Sequence, residues 1–139
     1  MERSRRRLGV VVAALAAAAL PTACSDGRVV DANGVVVLVG ERADSGMAAQ
    51  GGGRLEVLGG CLGAGGVVVV WPHGTTVVGE EPLTVEVPGR GRVSLGDDIT
   101  LAGGYVLEHS SGSRPSAPLD VAGVTVPRAC AEYDVFLSV

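Results

Sequence analysis

Side chains able to do chemistry are sparse in this chain. Its only histidines are His73 and His109. With Asp97, Asp98 or Glu108 they offer imidazole and carboxylate ligands for a divalent cation. Neither belongs to a spaced motif such as HxH or HExxH. Structural zinc takes Cys and His ligands at recognisable spacing, and calcium takes several oxygens at defined loop positions. Both patterns are absent from the sequence, so no metal site and no cofactor is expected. Asp97 and Asp98, within LGDDITL, do not converge, because neighbours entering a strand point to opposite faces. They read as a tight turn in which an Asp side chain bonds the following backbone. Nucleophilic catalysis has as little support. There is no GxSxG elbow. Ser110, Ser111, Ser113 and Ser116 fall in HSSGSRPSAP, where His109 is only the sequence neighbour of Ser110. The glycine-rich stretches lack the GxxxxGKS/T phosphate loop. No catalytic residue is expected, and the chain reads as a non-enzymatic protein.

The stretch VVVVWPHGTTVV (67–78) holds the only Trp. Trp71 and His73 are the candidate ligand-binding residues, on the 72–75 turn. A Trp at a strand end beside a turn can stack on a sugar ring or capture a peptide, and Trp is enriched at binding hot spots. The competing reading packs Trp71 as the largest core residue, its N–H on a backbone carbonyl. No second aromatic lies beside it in sequence to complete a platform. Four consecutive apolar residues without alternation predict a strand covered on both faces. Pro72 cannot donate into a central ladder, so that strand must end near Trp71.

The first 23 residues read as an export signal. Arg3, Arg5, Arg6 and Arg7 form a positive n-region, and Leu8–Leu20 is an uncharged apolar run of thirteen residues. That run is short of the ~20 residues a membrane-spanning helix needs. Ser4-Arg5-Arg6-Arg7-Leu8 partly resembles a twin-Arg signal, so both export routes stay open.

Leu20-Pro21-Thr22-Ala23-Cys24 resembles the lipobox of bacterial lipoproteins, in which a Cys after small residues is acylated and becomes the new N-terminus. It departs from the family pattern at Pro21, where Leu is usual. The resemblance implies a lipid on Cys24 that anchors the protein to the extracytoplasmic face of the cell membrane. Cleavage after Ala23 without a lipid would instead give a soluble secreted protein. Three cysteines are an odd number for an oxidising compartment. Lipidation of Cys24 would leave Cys61 and Cys130 as a disulfide pair. Such a bridge closes a loop of about 70 residues and stabilises by roughly 4 kcal/mol on the chain-entropy model. Two independent buried thiols are the other reading. GGCL (59–62), WPHGT (71–75), LGDDITLAGG (95–104) and the late Cys130 look like small exported actinobacterial proteins. That likeness implies location and fold type and carries no activity.

Residues 24–139 keep seven Arg and fourteen acids, a net charge near −7 against −4 for the whole chain. All eleven positive charges are Arg and they form no stripe, so a nucleic-acid partner is not expected. With four aromatics (Trp71, Tyr105, Tyr133 and Phe136), the core must be aliphatic.

Residues 1–23 are therefore assigned to a signal peptide and 24–33 to the lipidated Cys and a polar tether. Residues 34–139 form a single β domain. Within it, GERADSGMAAQGGG (40–53) reads as a loop, with Gly51-Gly52-Gly53 as a breaker and MAAQ as an uncapped helical turn. Leu83, Val85 and Val87 alternate with Thr84 and Glu86, and Val93 and Leu95 resume the pattern after Pro88-Gly89, which predicts a hairpin. Gly103-Gly104 is expected to bend or bulge the strand running into Tyr105. DVFLSV (134–139) is expected to close a sheet. Short strands with frequent turn signals indicate an all-β fold, a small partly closed barrel or sandwich of about six to eight strands with one disulfide. The expected function is that of a membrane-anchored envelope lipoprotein, a non-catalytic binding or scaffolding module for an envelope or cell-wall partner. The alternative is a carbohydrate or small-ligand module using Trp71 and the 72–75 turn.

Overall fold

In the computed structural model, residues 27–43, 46–112 and 118–139 are described. Residues 1–23, expected to be an export signal, and Cys24, Ser113 and Ser116 lie outside the described residues. The chain is all-β, held by one disulfide. Its strands are β1 (Arg28–Ala32), β2 (Val35–Val39), β3 (Ala49–Leu58), β4 (Cys61–Ala64), β5 (Val67–Trp71) and β6 (Thr76–Glu80). They continue as β7 (Leu83–Val87), β8 (Gly91–Ser94), β9 (Asp98–Leu107), β10 (Leu119–Val121), β11 (Val124–Val126) and β12 (Val135–Ser138).

These twelve strands among the described residues exceed the six to eight expected, and the reason is the turns. Asn33-Gly34, Gly59-Gly60, Gly65-Gly66 and Ala122-Gly123 all have positive φ at both residues. That is what a two-residue type I′ hairpin turn requires. Each folds a short apolar run back on itself: β1 on β2, β3 on β4, β4 on β5 and β10 on β11. The Asn33-Gly34 turn also corrects the tether. Arg28–Ala32 pairs with β2 over five residues, so the ordered domain begins well before residue 34.

Strand pairing runs from β4 through β3, β9, β12 and β5, and β5 returns to β4. The sheet is thus partly ring-closed. β2 joins it by bonding to both β4 and β5, and β1 lies outside β2. A three-stranded sheet, β6-β7-β8, and the β10-β11 ribbon complete the fold. The expected hairpin at 83–95 is present as β7 and β8. The expected closing role of 134–139 is filled by β12, parallel to β5 and antiparallel to β9.

The side chains of β5 alternate between two cores. Val69 and Trp71 join a cluster that includes Leu83, Val85, Val87 and Val93 of the β6-β7-β8 sheet. Val68 and Val70 join a second cluster with Val121, Val124 and Val126 of the ribbon. All five β5 residues are apolar because four of them are buried, two on each side.

The expected loop at 40–53 is in part a strand, since β3 starts at Ala49 and runs through all three glycines. Glycine is required there by close approach. A Cβ on Gly51 would lie 2.9 Å from the Phe136 ring. Gly53, at φ +141°, would put one 2.7 Å from Gly65 Cα. The glycines let the β3 backbone pass against its neighbours where side chains would hold it off.

Cys61 and Cys130 form the expected bridge, with Cα atoms 5.9 Å apart across a sequence separation of 69. Both lie buried in the second core cluster. Replacing both by Ala should lower unfolding free energy by about 4 kcal/mol, read as a shift of the urea midpoint; an unchanged midpoint would contradict the bridge's role. Gly103, at φ +152°, faces the Leu137 carbonyl oxygen where any Cβ would collide. Gly103→Ala should therefore cost about 3 kcal/mol, and a loss below ~0.5 kcal/mol would show that the β9–β12 contact is looser than described.

Candidate functional site

The 72–75 turn is built from backbone geometry that its residues dictate. Pro72 ends β5, and Gly74 takes φ +89°. The Thr75 N–H and Oγ1 both donate to the Pro72 carbonyl, at 3.1 and 2.8 Å. The Thr75 carbonyl in turn accepts from Arg28 Nη2 at 2.7 Å. Thr75 is fully buried, so the turn is fixed from beneath and tied to β1.

Trp71 is fully buried, and its Nε1 donates to the Leu62 carbonyl at 3.2 Å. An indole in that position supports the core and cannot stack on a ligand. The platform reading of Trp71 is corrected accordingly. An aliphatic domain with four aromatics uses its largest side chain to fill volume, and the N–H is satisfied internally. His73 differs. It is partly exposed and lines a cavity of about 280 Å³ together with Pro72, Glu41, Arg42, Leu137 and Ser138. Ser138 Oγ is bonded to the Ala102 carbonyl at 3.1 Å, so its hydroxyl is committed to the fold. The cavity thus presents an imidazole, a guanidinium and a carboxylate over an apolar ledge. That set can hold a small polar ligand. Among the described lining residues no nucleophile is paired with a base.

The second histidine sits elsewhere. His109 opens a short 3-10 turn (His109–Ser111) and bonds twice to one oxygen of Asp134. Its backbone N–H reaches Oδ1 at 2.8 Å and its Nδ1 lies 2.9 Å from the same atom. These bonds hold the Asp134 carboxyl below its ordinary range, first through the backbone N–H and then through the imidazole. Asp134 stands just before β12, so the pair clips the end of β9 to the strand that closes the ring. The 25-residue separation hid it from sequence reasoning, which weighed His109 only with Asp97, Asp98 or Glu108 and set Ser110 aside as a mere sequence neighbour. An Asp immediately before an apolar strand was the available signal.

Asp97 accepts a hydrogen bond from the Ser94 N–H at 3.0 Å, a turn contact to preceding backbone where following backbone was expected. Asp98 is exposed at the start of β9. Among the described residues no three His, Cys, Asp or Glu side chains gather into a cation site.

Comparison of the chain with known protein families, with curated proteins and with solved structures gives no match.

The Asp134 clip makes a pH-dependent prediction. A carboxyl whose folded pKa is lowered adds stability above its ordinary value of 3.8, and loses it as pH falls through the lowered one. Asp134→Asn, which keeps the shape and one acceptor, should melt at a lower temperature than wild type at neutral pH. The two melting curves should converge in acid, below the ordinary Asp range. A difference that persists unchanged into acid would assign the effect to packing.

Proposed function

We propose that this chain is a membrane-anchored envelope lipoprotein whose β domain is a non-catalytic binding or scaffolding module on the extracytoplasmic face. The observation that carries the reading is the buried Cys61–Cys130 disulfide, because such bridges form and persist in oxidising compartments. It accords with an Arg-rich, apolar leader and a lipobox-like Cys24. With Cys61 and Cys130 joined, Cys24 is the one cysteine left for acylation. The binding surface in this reading is the cavity beside the 72–75 turn, where His73 and Arg42 are the polar handles and Trp71 is its buried support. The partner is an envelope protein or a cell-wall component, bound without chemical change.

Membrane fractionation tests the anchor. The wild-type chain should sediment with membranes and begin, by intact mass, at a Cys24 carrying acyl groups. Cys24→Ser should move the protein to the soluble fraction. Retention of Cys24→Ser in the membrane, or a mature mass without acyl groups, would overturn the proposal.

A further inference from the structure

The length of chain between the anchor and the domain is set by β1. A tether over residues 24–33 would reach up to about 35 Å fully extended. β1 removes most of that slack. Five residue pairs fasten Arg28–Ala32 to β2, and the Arg28 guanidinium is bonded to Thr75. Gly27 is packed as well: a Cβ on it would lie 2.7 Å from both the Ala122 oxygen and Val124 Cγ1. Three peptide steps remain between Cys24 and Gly27, a reach of about 11 Å at most.

A domain of this size has a radius of gyration of about 13 Å. The link is shorter than that radius, so the domain cannot roll over to bring its far end to the bilayer. The residues around Gly27 are fixed relative to it. The Ala122 carbonyl accepts from the Glu41 N–H at 2.8 Å, and a Cβ on Gly40 would lie 3.2 Å from that of Ala122. The Gly40 N–H donates to the Trp71 carbonyl at 2.9 Å.

We infer that Gly27, the Ala122-Gly123 turn and Gly40-Glu41 form the membrane-facing end of the domain, held at the lipid headgroup layer by this short link. The inference rests on lipidation of Cys24. The partner surface is the bilayer itself. Attraction does not drive the approach, since residues 24–139 carry a net charge near −7 and an anionic leaflet repels them. The covalent link enforces it, within the reach of about 11 Å that three peptide steps allow. The cavity beside the 72–75 turn shares Ala122 with this end, so it also lies at the headgroup layer.

Trp71 is the only tryptophan, and its carbonyl lies at this end, which makes it a built-in distance probe. The full chain is expressed in a bacterial host, and its membrane-bound form is purified and placed in phosphatidylcholine vesicles with dansyl-labelled headgroups. Intact mass is measured first, then energy transfer from Trp71 to dansyl. A variant with ten Gly/Ser residues inserted after Ser25 adds a mean span of about 17 Å. Transfer in the wild type should exceed that in the variant by roughly twofold or more, and salt should not change the ratio. Acylated protein with equal transfer in the two forms would overturn the membrane-facing end and leave the anchor standing. Absence of acyl mass on Cys24 would overturn the anchor and this inference together.

Discussion

β5 has no solvent-facing side, and the rest of the domain is arranged around satisfying it. Its backbone bonds to β4, β12 and β2, and its side chains feed two separate cores. A strand of five apolar residues left open on either face would be an aggregation hazard. One face is therefore covered by the β6-β7-β8 sheet and the other by the β10-β11 ribbon with the disulfide. Removing either cover exposes a row of valines. This explains why so short a chain spends residues on two accessory sheets that do not belong to the ring.

The same demand fixes the candidate site. Because Trp71 is drawn inward to fill the core, only the turn that follows it reaches the surface, carrying His73. That turn is held by Thr75 below and by Arg28 from β1, so the cavity wall is as rigid as the strands behind it. The cavity is a preformed surface whose polar side chains include His73, Arg42 and Glu41.

Much of this was legible in the residues, where a local pattern decides a local structure. The unbroken valines of β5 demanded cover on both faces, Leu83 to Leu95 alternated as a hairpin must, and the cysteine parity, read with the lipobox, pointed to the Cys61–Cys130 pair. Two features were misread although a signal existed. Asn33-Gly34 between apolar runs is a strong hairpin signal, but it sat in a polar stretch taken for a tether. Gly51-Gly52-Gly53 read as a breaker because glycine usually ends a strand. Here its lack of a side chain lets β3 lie against Phe136 and Gly65, contacts from residues far along the chain. The burial of Trp71 with its N–H on a backbone carbonyl was one of the two readings its position offered. The His109–Asp134 clip depends on tertiary placement, which no local window of sequence contains.

β12 depends on a long-range pairing. β12 lies between β9 and β5, and its Val135 pairs with Val68 from 67 positions earlier. A parallel pairing over that distance is slow to find, because loop closure must be met before any contact rewards it. In the sheet β12 covers hydrogen-bonding edges of both β5 and β9. Cys61 opens β4, the hairpin partner of β5, and Cys130 stands five residues before β12. With those two sulfurs joined, only short segments separate the bridge from the Val135–Val68 pairing, so the loop that pairing must close is much shortened. In the folded domain the bridge thus ties the hairpin that holds β5 to the segment leading into β12, so the closing strand is tethered close to both of its neighbours.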